Sequence, residues 1–75
     1  MNQYVVDVIS RGELYLEIER IRQLLVGMHK HPLPNREGQR ELVARMTKIF
    51  QALLSAKNAR EEVIQDIRKD NCRNT

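Results

Sequence analysis

One cysteine, no tryptophan, three glycines, two prolines and three aromatic side chains (Tyr4, Tyr15, Phe50) stand in a chain of 75 residues. Each scarcity excludes something. Cys72 alone cannot close a disulfide within the chain, so the covalent staple common in domains of this size is missing. We read it as a free thiol in a polar tail, 71–75, suited to a reducing compartment. So few glycines and prolines leave too few turns for a β-sandwich. The longest apolar runs, such as Leu24-Leu25-Val26 and Ala52-Leu53-Leu54, fall far short of the roughly 20 residues that cross a bilayer, and no membrane insertion is expected. Met1-Asn2-Gln3-Tyr4 lacks the basic and apolar regions of a secretory signal, which makes the cytoplasm the expected location.

What is present is helix-forming. Charged residues make up 31% of the chain, and Leu, Ile, Glu, Arg and Ala are frequent. Leu14, Ile18, Ile21, Leu25 and Met28 alternate at spacings of four and three, a heptad seam on one helix face. The spacing predicts a first helix over about 10–30. Ser10-Arg11-Gly12-Glu13 reads as a capping box opening it. His31-Pro32-Leu33-Pro34 stops it, because proline lacks an N–H and turns the preceding residue away from helical geometry. Pro34 as first residue, or Asn35 as N-cap, can start a second helix over about 35–69. There Leu42, Met46, Ile49, Leu53, Ala56, Val63 and Ile67 repeat the seam, with Arg60 in the one place not apolar. The short connection makes the two helices antiparallel neighbours. The expected fold is therefore all-α: a two-helix hairpin over 10–70 with an N-terminal arm, 1–9, completing a helical bundle with another chain.

The arm is less decided. Tyr4-Val5-Val6-Asp7-Val8-Ile9 is rich in β-branched residues and could be a strand. With no second strand in the chain to pair with, a short helix or an extended arm is preferred. The helix would carry Tyr4, Val5, Val8 and Ile9 on one side.

Lengths and widths call for a partner. At 1.5 Å per residue the helices measure roughly 30 and 50 Å, so about 20 Å of the second overhangs the first. The overhang carries Val63, Ile64 and Ile67, and the arm could cover part of it. Val43, Phe50, Leu54 and Ile64 form a second apolar stripe beside the seam. One antiparallel neighbour covers a stripe and not half a circumference. Val43, Phe50, Leu54, Arg60, Val63, Ile64 and Ile67 are thus the candidate partner-binding residues. Arg60 reads either as a side chain snorkelling to water or as a charge that sets register with a partner. The competing arrangement is a monomer whose arm folds back as a third helix.

Other chemistry finds little support. His29 and His31 are two residues apart, whereas helical metal ligands stand three or four apart. The carboxylates of Glu61, Glu62, Asp66 and Asp70 belong to a charged surface, with no pocket to shift a pKa. Gly12, Gly27 and Gly38 are isolated, so no phosphate loop is present. We expect no enzyme, metal or cofactor. The net charge of +3 leaves nucleic-acid binding as the opposing class. Yet Arg36, Arg40, Lys48, Lys57, Arg68 and Lys69 are interleaved with Glu37, Glu41, Glu62 and Asp66, a solvated face rather than a basic patch.

Two resemblances bear on these readings. A strand followed by two helices is similar to ribbon-helix-helix repressors, although both helices are too long, the arm is not basic and its alternation is poor. In size and layout the hairpin looks broadly like the small hairpin co-chaperones of bacterial type III secretion, a likeness of architecture without a diagnostic motif. The function expected is protein–protein interaction, as an adaptor, small chaperone or assembly subunit bound to another protein or to itself. The alternative is a small dimeric nucleic-acid-binding regulator of phage or plasmid type.

Overall fold

The computed structural model describes residues 2–73 and contains three helices: α1 (Gln3–Ser10), α2 (Leu14–Lys30) and α3 (Arg36–Arg73). Residues 1, 74 and 75 and the thiol of Cys72 lie outside what is described, so the reading of that thiol rests on sequence alone. The particle measures 60 × 25 × 16 Å, its long dimension set by α3.

The arm is a helix. Asn2 caps it, its side-chain oxygen accepting from the Tyr4 N–H at 2.8 Å. Val5 and Val8, three residues apart, turn inward together and are fully buried, whereas Tyr4 and Ile9 stay about 40% exposed. No strand forms over 4–9, so the strand that likens the chain to ribbon-helix-helix repressors is missing. Local β propensity yields here because a lone strand has no partner, while a helix satisfies its own backbone and buries two valines.

Ser10-Arg11-Gly12-Glu13 corrects the expected capping box. Ser10 is the last residue of α1 and does not cap α2. Glu13 precedes α2 with no side-chain cap. The Glu13 N–H reaches the Val8 carbonyl at 3.1 Å and the Gly12 N–H reaches Ile9 at 3.0 Å, the paired bonds of a Schellman ending. Gly12 has φ +71°, the left-handed value that this ending requires and that glycine adopts without penalty. The sequence contains both signals, and the glycine prevails because Val5 and Val8 make the preceding segment worth burying.

The hairpin forms where the prolines place it. The His31 N–H closes the last turn of α2 on Gly27 at 2.8 Å, before Pro32. Asn35, rather than Pro34, begins α3: its side-chain oxygen accepts from the Gly38 N–H at 3.1 Å. Gly38 leaves room for this cap, since a Cβ there would lie 3.2 Å from the Asn35 amide. α3 continues past its expected end at 69 and through Arg73.

Val5, Val8, Leu14, Ile21 and Leu53 make the core, flanked by Ile18, Leu25, Met46, Ile49, Phe50, Ala52 and Ala56. Leu53 is wholly buried where the three helices meet. At about 1.5–3 kcal/mol for each large apolar side chain, these few contacts hold the arm on the hairpin. A polar latch accompanies them. The Tyr4 hydroxyl donates to Glu17, whose carboxylate also meets Arg20 at 3.7 Å.

Candidate functional site: the uncovered faces of α3

α1 covers one flank of α3, leaves the overhang bare and leaves the opposite flank half-covered. Asn2 and Val5 sit beside Arg45, Lys48, Ile49 and Ala52, at the middle of α3. The arm therefore does not reach the overhang, contrary to the expectation that it covers part of it. It is too short: eight residues span about 12 Å.

The first region is the overhang. Beyond the start of α2, Val63 is 58% exposed, Ile64 38% and Ile67 54%. These residues share one side of the helix at spacings that bring them together. Arg60 stands at its base. Its guanidinium lies 5.7 Å from the centre of the Tyr15 ring, and the Lys57 ammonium lies 5.8 Å from the same ring. The one polar place in the α3 seam is thus occupied from within the chain, by a cation over an aromatic face.

The second region is the half-covered flank of α3 opposite α1. Val43, Thr47, Phe50 and Leu54 line it at four- and three-residue spacing, all half-buried. Near the hairpin turn it opens into a groove of about 570 Å³ between Leu25, Met28 and His29 of α2 and Gln39, Arg40, Val43, Ala44 and Thr47 of α3. The candidate residues consequently divide. Arg60, Val63, Ile64 and Ile67 gather on the overhang, while Val43, Phe50 and Leu54 lie along the flank, and Ile64 adjoins both.

Charge on these faces is paired locally. Lys57 reaches Glu61 at 3.8 Å across one turn of α3. On α2, Arg22 grips Glu19 with two donors at 2.5 and 3.1 Å. Those bonds to Arg22 and Gln23 hold the Glu19 carboxyl below its ordinary pKa. Among the described residues no three metal-ligating side chains converge, and no helix is long and apolar enough to cross a membrane.

Sequence reasoning missed Tyr15 and Tyr4. Tyr15 falls outside the seam of α2, and no local signal joins it to Arg60. Tyr4 belongs to the arm's expected apolar side, yet it acts through its hydroxyl. No family model, curated protein or solved structure matches the chain.

Proposed function

We propose that this chain is a small non-enzymatic interaction module, an adaptor, small chaperone or assembly subunit, that binds a partner protein through the apolar faces of its helical hairpin. The observation that carries this reading is the overhang: Val63, Ile64 and Ile67 stand in water although the arm has folded back as a third helix. Covering each would contribute up to about 1.5–3 kcal/mol. A second hairpin, or a helix of another protein, would complete a bundle on that surface.

The test is affinity capture with the purified chain and with a Val63→Asp/Ile67→Asp variant, each in low and high salt. The reading expects one stoichiometric protein partner, another protein or a second copy, retained in high salt and lost with the variant. The net charge of +3 keeps a nucleic-acid regulator as the contrasting outcome. In that case the chain would shift DNA or RNA in a steeply salt-dependent way and ignore the two substitutions.

A further inference from the structure

We propose that the occupant of the open flank of α3 is a second copy of this chain, its α3 running antiparallel to the first in one defined register. This rests on the interaction-module reading and names its partner.

Phe50, Leu54, Lys57, Glu61, Ile64 and Arg68 recur along α3 at alternating spacings of four and three, so they form one continuous stripe turned away from α1. Ile64 and Arg68 are exposed, and Phe50 and Leu54 are half-buried. The Lys57 and Glu61 side chains are 33% and 46% exposed. Three of these six side chains, Lys57, Glu61 and Arg68, are charged, so the stripe does not suit a wholly apolar partner. It suits a second copy. With the helices antiparallel, Leu54 stands opposite Ile64 of the second copy, Lys57 opposite its Glu61, and Phe50 opposite its Arg68. The twofold axis repeats each pairing, so the two Lys57–Glu61 layers are complementary, the two Leu54–Ile64 layers match, and only the two outer layers set Phe50 against Arg68, whose exposed side chain can reach water past the ring.

Other registers break the central layers as well. Sliding by one heptad one way sets Leu54 against Lys57 and Phe50 against Glu61. Sliding the other way sets Lys57 against Arg68 and Glu61 against Ile64. A parallel pair sets Lys57 on Lys57 and Glu61 on Glu61. Like charges and buried charges against apolar groups are the usual means by which helices reject a wrong alignment. The edge of the stripe remote from α2 carries Gln51, Asn58 and Gln65, exposed amides without charge to oppose close approach. On the nearer edge Arg60 is held over Tyr15.

The experiment is light scattering and sedimentation of the full chain at on the order of 0.1 mM, a range in which modest helix pairing is populated. It compares the natural chain, Lys57→Glu, Glu61→Lys and an equimolar mixture of the two variants. The expected result is a dimer of the natural chain and association weakened by about tenfold in each variant alone. Dimers return in the mixture, where every charged layer is again opposite in sign. Circular dichroism confirms that each variant stays helical. The register is checked by Leu54→Cys/Ile64→Cys in a Cys72→Ser chain, which should oxidise to a covalent dimer where Leu54→Cys/Ile67→Cys does not. A monomeric natural chain, a dimer indifferent to either charge reversal, or a mixture that fails to associate would each overturn the proposal. If the natural chain is monomeric yet captures a different protein through Val63 and Ile67, this inference falls while the interaction-module reading stands.

Discussion

The guanidinium of Arg60 lies over the ring of Tyr15, its carbon 5.7 Å from the ring centre, and so ties the base of the α3 overhang to the first turn of α2. Tyr15 is nearly half exposed, so water screens the attraction without abolishing it. A double-mutant cycle of Arg60→Met and Tyr15→Leu, followed by urea unfolding, should return a coupling of about 0.5–1 kcal/mol. A coupling of zero would mean that the two groups are neighbours and nothing more.

Tyr4 supplies a pH prediction. Burial, the hydrogen bond to Glu17 and the charge of Glu17, in that order, push its phenol up to about 12. The folded chain then holds this proton more tightly than the unfolded chain, whose phenol ionises near 10. The contribution to stability is therefore whole below about pH 10 and is lost as pH climbs through 12. In a Tyr15→Phe chain, Tyr4 is the sole tyrosine and its ionisation can be followed by ultraviolet absorbance. The midpoint should lie near 12, and Glu17→Ala should bring it part of the way back towards 10. A midpoint unchanged by Glu17→Ala would remove the latch.

How far the fold could be read from the sequence depended on whether the cause was local. Leu14, Ile18, Ile21 and Leu25 announce α2 because a helix repeats its inward face every three or four residues, and that face is buried or half-buried in the structure. The stop at Pro32 and the start at Asn35 are local chemistry too. Ser10 misled because a serine followed by a glutamate three residues later fits a helix start, while the glycine between them fits a helix end. Only the burial of Val5 and Val8 on a distant part of α3 separates those readings. The bare overhang followed from helix length, whereas the stripe that projection marked beside the seam is half-buried, with Phe50 against the core. The partner of Arg60 did not follow, since Tyr15 reaches it only after the hairpin has closed.

Gly12 tests the Schellman ending. At φ +71° an alanine is strained, yet a Cβ there meets nothing within 4 Å, so the cost comes from the backbone alone. Gly12→Ala should destabilise by roughly 1–2 kcal/mol in thermal unfolding, and Gly12→Asn by less. Equal losses from both would indicate crowding instead.

The two caps can be separated in the same assay. Asn35→Ala removes the acceptor for the Gly38 N–H and should cost about 0.5–2 kcal/mol. Ser10→Ala should stay within about 0.5 kcal/mol, because Ser10 ends α1 and caps no helix. A loss at Ser10 as large as that at Asn35 would restore the capping box.

Leu53, wholly enclosed where the three helices meet, is the point on α3 from which the free end is best measured. From there α3 runs on to Asp70 for about 25 Å, at 1.5 Å per residue. A tilt of about ten degrees at that point swings the tip sideways by roughly 4 Å, close to the width of one side chain. A shift among Val5, Val8 and Leu14 that tilted α3 would thus be magnified at Val63 and Ile67, and the Arg60–Tyr15 contact resists it.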